Sequence, residues 1–195
     1  MPGVVAGFYG KLPARGDFVR AGLPRDFIDP WDAWLQSVIA GSRTLAGDAW
    51  LPAYLESPIW RFALPPGMCG DLAVLGLMLP SVDKAGRYFP LSFAALHPVG
   101  IAAASGDAWL DVCETAGRDA LEQDTEPQEI VGMLGVPDPS DASVAMPDAV
   151  WWSDGSERVQ PTRITLRSLP DVATYAAMLG AVADARGDST WEATS

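Results

Sequence analysis

Two short stretches hold most of the side chains that could do chemistry. KLPARGDFVR (11–20) places Lys11, Arg15, Asp17 and Arg20 close together, and PSVDKAGRYFP (80–90) holds Ser81, Asp83, Lys84 and Arg87. Arginine presents a planar fork of donors that grips phosphate or carboxylate in bidentate fashion. One reading is therefore an anion- or small-ligand-binding or hydrolytic domain, with the Arg15/Asp17 and Asp83/Arg87 loops around the anion. A second is internal: Arg15 pairs with Asp17 or Asp83, Arg87 pairs with an acid of the first stretch, and the pairs hold irregular loops. A third is a protein-binding surface with a basic side chain left over. Residues 15–17 also spell Arg-Gly-Asp, but the N-terminus lacks a secretory pattern. The chain is expected to be cytoplasmic, where no adhesion receptor would meet that tripeptide.

Other chemistries find little support. His97 is the single histidine. No Cys/His cluster, HExxH or calcium-loop pattern accompanies it, so no metal or cofactor is expected. No phosphate-binding glycine loop, GxGxxG after a strand, or GxSxG elbow appears. A Ser-His-Asp triad would have to use His97, and nothing around any serine recommends it. The expectation is a protein that is not an enzyme. Cys69 and Cys113 are expected as buried free thiols.

These residues need elements to position them. VVAGFYG (4–10) reads as a strand, and 11–30 as a loop. Trp31, Trp34, Leu35, Val38 and Ile39 trace one face of a helix, with Asp29 as N-cap and Pro30 at the first helical position. A short helix follows over 48–58. IWRFAL (59–64) reads as a strand with Ile59, Arg61 and Ala63 on one side and Trp60, Phe62 and Leu64 on the other. LAVLGLMLP (72–80) suits a central strand buried on both faces, and 88–98 makes the next strand after a hairpin connection. Helices fit 107–123 and 126–134, the latter begun by Pro127, with an exposed loop over 135–148. AVWWS (149–153) and QPTRITLRSL (160–169) read as a hairpin around a tight Asp-Gly turn. Trp151 and Trp152 must face opposite ways, which makes the outer one a candidate interface anchor. A terminal helix is expected over 169–185. The order of elements predicts one α/β domain over 1–185, an α/β/α sandwich with a mixed, partly antiparallel sheet, and a flexible tail at 186–195.

The 195 residues are 49% hydrophobic, enough for a sizeable core, and carry a net charge of −12. That charge argues against nucleic acid or anionic membrane as a partner. It is uneven: residues 101–160 hold 2 basic and 13 acidic side chains, a net of −11. Such a segment is either a solvated helix face or a surface that selects a basic partner. The longest apolar run is far shorter than the roughly 20 residues of a membrane span.

GFYGKLPARGDFVRAGLP, DPWDAWLQ, YLESPIWRFAL, GMCG and LPSVDKAGRYFPL occur in this order over residues 7–93. Together they resemble the N-terminal domain of TagF, also called ImpM, accessory proteins of bacterial type VI secretion systems. The likeness continues weakly through AVWWSDGSE and the last helix. It implies an α/β sandwich and a cytoplasmic regulator that restrains secretion post-translationally, acting on a protein component such as the forkhead-associated scaffold protein. It implies no catalytic residues. Some relatives are fused to a PP2C-type phosphatase, and these 195 residues contain no such stretch, so phosphatase activity is not expected. The motif residues taken as candidates for protein binding are Lys11, Arg15, Asp17, Arg20, Trp60, Arg61, Ser81, Asp83, Arg87 and Tyr88, with Trp152 added as the outer tryptophan.

Overall fold

A computed structural model describes residues 3–98, 107–137 and 147–182. The elements are β1 (Val5–Gly10), β2 (Val19–Ala21), α1 (Arg25–Ala46), α2 (Trp50–Leu55), β3 (Trp60–Leu64), β4 (Ala73–Leu79), β5 (Leu91–His97), α3 (Asp107–Glu122), α4 (Pro127–Leu134), β6 (Ala149–Ser153), β7 (Thr162–Leu166) and α5 (Val172–Met178). A single 3₁₀ turn, Gly47–Ala49, links α1 to α2.

The strands form one open sheet of seven in the order β2-β1-β5-β4-β3-β6-β7. Every pairing between them is antiparallel. The expected mixed sheet is thus corrected in its strand directions, because β1 returns to pair with β5 antiparallel rather than through a parallel crossover. β4 lies in the middle and is buried along its whole length, which is why LAVLGLML shows no polar side.

Alternation along the strands feeds two cores. Tyr9, Trp60, Phe62, Val74, Met78, Ala94 and Trp151 join α1, α2 and α5 on one face. Phe8, Ala63, Leu75, Leu77, Phe93 and Val150 join α3 and α4 on the other. The α/β/α sandwich follows directly. Trp151 and Trp152 part as expected, Trp151 fully buried in the first core and Trp152 half-buried against the second.

Several boundaries differ from the sequence reading. α1 starts at Arg25 after Pro24, not at Pro30, so Asp29 is no cap and Pro30 lies inside the helix. Burial of Phe27 and Ile28 against the first core adds this turn, outweighing the helical bond that Pro30 cannot make. Residues 19–21 form a strand rather than loop, paired through Phe8 with Ala21 and Gly10 with Val19. The β6–β7 connection is a longer loop than a tight turn, closed by Ser156 N–H donating to the Val159 carbonyl at 2.7 Å. Asp171 does cap α5, accepting from the Thr174 N–H at 2.8 Å, but the helix ends at Met178. The tail 186–195 and most of the 135–148 loop lie outside the described residues. No helix among the described residues is long and apolar enough to cross a membrane.

Candidate functional site

The two charged stretches meet inside the protein. β1 delivers Lys11 beneath the 80–90 loop, where its ammonium, 4% exposed as a residue, donates to Asp83 Oδ2 at 2.7 Å. The same ammonium sits 4.1 Å from the centre of the Phe18 ring, a favourable place for a cation. Arg87 Nε also donates to Asp83 Oδ2 at 2.7 Å, while the backbone N–H groups of Ala85 and Arg87 donate to Oδ1 at 2.9 Å each. Gly86, with φ of 79°, closes the turn that aims both N–H groups at that oxygen. Burial pushes the Asp83 carboxyl up, but hydrogen bonds from Lys11 and from the Arg87 backbone and side chain outweigh it and hold the group well below the usual carboxylate range. Asp83 is therefore a fixed negative charge at neutral pH, not a proton carrier.

Polar contacts from neighbouring elements complete this hub. Ser81 Oγ donates to the Lys11 carbonyl at 2.7 Å. The Tyr54 hydroxyl, from α2, donates to the Ser81 carbonyl at 2.8 Å and accepts from the Ser81 N–H at 3.1 Å. Lys84 N–H donates to the Arg15 carbonyl at 2.9 Å, and Arg87 Nη2 donates to the Gly16 carbonyl. The Arg-Gly-Asp segment is thus tied to the 80–90 loop through its backbone.

The remaining candidates do not converge there. Arg15 pairs with neither Asp17 nor Asp83. Its guanidinium reaches Asp124 at 2.8 Å and Glu126 at 2.9 Å, in the link between α3 and α4. Asp17 is exposed and makes no ion pair among the described residues. Arg87 pairs with Asp83 of its own loop, not with an acid of the first stretch. Arg20 is exposed on β2, near Tyr9, whose hydroxyl donates to Asp32 at 2.6 Å. Trp60 is core, its indole N–H donating to the Met178 carbonyl at 3.0 Å. Arg61 is a clamp between β3 and α3, reaching Asp111 at 2.7 Å and Glu114 at 3.1 Å. Trp152 lies under Arg163, 5.7 Å from ring centre to guanidinium carbon. The anion site imagined between the Arg15/Asp17 and Asp83/Arg87 loops is not formed: Arg15 and Arg87 are turned to different acids.

An open cleft lies beside the hub instead. It has a volume of about 670 Å³ and runs between the α1–α2 corner and residues 86–89. Gln36, Arg43, Asp48, Trp50, Arg87 and Tyr88 line it. Arg43 lies over the Trp50 ring, 4.4 Å from its centre. Trp50 is fixed from below, its N–H donating to Ser42 Oγ at 2.8 Å, and Tyr88 meets its edge at 6.1 Å. Arg43, Asp48 and Gln36 escaped the sequence reading. One signal was present: Arg43 falls in the last turn of α1 with Ile39 and Gly47 four residues either side, so the helix offers it no i±4 acid. Among the described residues, no group of three or more His, Cys, Asp or Glu is placed to hold a metal ion.

Residues 7–135 match the family model of the TagF N-terminal domain, described as type VI secretion system-associated. That span includes both charged stretches and every residue of the cleft. The whole fold is similar to PA0076 from Pseudomonas aeruginosa PAO1, known from a 2.05 Å crystal structure. The two share 35% identity at a TM-score of 0.80, over 89% of this chain and 93% of that one. No curated protein matches the chain in sequence.

Proposed function

We propose that this chain, which belongs to the family of TagF N-terminal domains associated with type VI secretion, is a non-enzymatic cytoplasmic regulator. It restrains the secretion apparatus after its parts are made, by binding a protein component such as the forkhead-associated scaffold protein. The family match carries this reading. The chemistry of the site supports it. Asp83 accepts from Lys11, Arg87 and two backbone N–H groups, which makes it a fixed charge that orders its loop rather than a proton carrier. Arg15 and Arg61 are held by acids of the helical layer. The motif orders loops, and the surface those loops shape is available for a partner.

The test is co-purification. Affinity-tagged chain, expressed with the secretion genes, should retain the forkhead-associated protein, and deletion should raise secretion. Recovery of no secretion component, with secretion unchanged on deletion, would sink the proposal.

A further inference from the structure

We infer that the cleft between the α1–α2 corner and residues 86–89 receives an acidic, amphipathic segment of the protein partner, its carboxylate held between Arg43 and Arg87. The inference rests on the regulator reading above and adds the binding face and the partner's chemistry.

Three observations lead to it. First, both guanidiniums have donors to spare. Arg43 lies over the Trp50 ring, and its guanidinium makes no ion pair or hydrogen bond among the described residues. A guanidinium held against an aromatic ring keeps N–H donors that the ring does not use, and a carboxylate takes such a fork in bidentate fashion. Arg87 commits Nε to Asp83 and Nη2 to the Gly16 carbonyl, which leaves Nη1 unpaired. Its side chain is 60% exposed, yet the buried Asp83 fixes its direction. Two cations, each braced from behind, pay little ordering entropy on binding.

Second, the cleft is not only charged. Trp50, Tyr88 and Ile39 give it an apolar wall, and Leu51, 39% exposed, continues that wall to the surface. Leu55, 55% exposed, lies one helical turn further along α2. A segment that alternates acidic and aliphatic side chains satisfies both kinds of lining. Asp48 is the one carboxylate on the rim, and it opposes such a segment.

Third, much of the acidic excess lies on the far face of the sheet, although residues 25–58 on the cleft side are also acidic, with Asp26, Asp29, Asp32, Asp48 and Glu56 against Arg25 and Arg43. The acidic excess belongs to 101–160, and α3 and α4 of that segment cover the face of the sheet away from α1 and α2. The two helical layers are two layer spacings apart, on the order of 20 Å. That exceeds the roughly 8 Å screening length of physiological salt. The acids of α3 and α4 therefore do little to repel an acid at the cleft, where selection falls to Arg43 and Arg87 against the local Asp48.

The experiment uses the full chain and a fluorescein-labelled hexapeptide of alternating Glu and Leu, read by anisotropy. A Gln/Leu peptide is the neutral control. The Glu peptide should bind at least about tenfold more tightly than the control. Arg43→Gln lies on an exposed helical turn and should leave the fold intact, checked by an unchanged melting temperature. It should weaken binding by about tenfold or more, and Asp48→Asn should tighten it by about twofold to threefold. Equal binding of the two peptides, equal binding by Arg43→Gln, or no binding at millimolar chain would overturn the inference. So would a phosphothreonine hexapeptide that binds far more tightly than the Glu peptide through Arg43, which would make phosphate the occupant. The pull-down separates this inference from the one beneath it. Arg43→Gln that still retains the secretion component rejects the cleft alone, whereas wild type that retains nothing rejects the regulator reading.

Discussion

Lys11→Met is the most direct probe of the hub beneath the cleft. Methionine keeps the length and apolar stem of lysine and deletes the charge. The ammonium it removes is buried, paired at 2.7 Å and stacked on Phe18. Deleting one partner of a buried ion pair costs about 3–5 kcal/mol, chiefly because the other charge is left buried. Here the loss from Lys11→Met should fall near the lower end, about 3 kcal/mol, because the orphaned carboxylate keeps three other donors. For a chain of this size that corresponds to a melting temperature lower by about 6–12 °C. Arg87→Gln removes the exposed member of the triad and should cost only about 1 kcal/mol, as surface pairs do. Urea unfolding of the two single variants and the double variant gives these values and their coupling. The pH dependence has a definite sign. The folded Asp83 carboxyl is depressed below its unfolded value, so its contribution is complete above the unfolded pKa of about 3.9 and is lost as pH falls through the folded value. The deficit of Lys11→Met should therefore be constant from pH 5 to neutrality, to within about half a kcal/mol, and should shrink below about pH 4. A cost under about 1 kcal/mol, or a deficit that persists unchanged in acid, would refute the picture of a buried, charge-paired hub.

Two further outcomes follow from the packing. Gly76→Ala puts a Cβ 2.4 Å from the Phe93 carbonyl of β5 and 2.6 Å from the Phe62 ring. The backbone of the central strands cannot yield, so urea unfolding should show a loss of about 3 kcal/mol, and a neutral result would contradict the register of β4. Burial pushes the Cys69 thiol up to about 12 and raises Cys113 as well; a thiol-specific reagent at pH 8 should leave both unmodified in the native chain and label both in denaturant.

The elements were legible where their signal is local. α1 and α3 showed their inner faces in the spacing of Trp31, Leu35 and Val38 and of Trp109, Cys113 and Ala116, all of them buried. β4 showed itself as an unbroken apolar run. What stayed hidden was set by distant parts of the chain. β2 is only three residues long and contains exposed Arg20, and it is a strand because β1 pairs with it. The β4–β5 and β6–β7 hairpins were legible and are antiparallel, whereas the direction of the β1–β5 and β3–β6 pairings depends on how long connections travel, which no short window encodes. The start of α1 was misread because the Asp29–Pro30 signal is a good local cap, and only the burial of Phe27 and Ile28 outweighs it.

The site divides along the same line. Its charges were visible as residue types, and its pairings were not, because the partners are far apart in sequence: 72 residues for Lys11 with Asp83 and 111 for Arg15 with Glu126. That long reach also bears on why charges are buried here at all. An apolar pair of the same volume would hold β1 against the 80–90 loop about as well, since burying two charges gives back much of what their attraction supplies. It would not orient Arg87. Asp83 fixes Lys11 below, Arg87 to the side and the loop backbone between them, so one buried carboxylate sets the direction of a cation that is itself mostly in water. The cleft wall beside it is made rigid in the same manner, by Ser42 under Trp50 and by Arg43 above. A surface whose cations are held from behind can recognise an anion without first ordering its own side chains, and the hub is the part of the fold that does the holding.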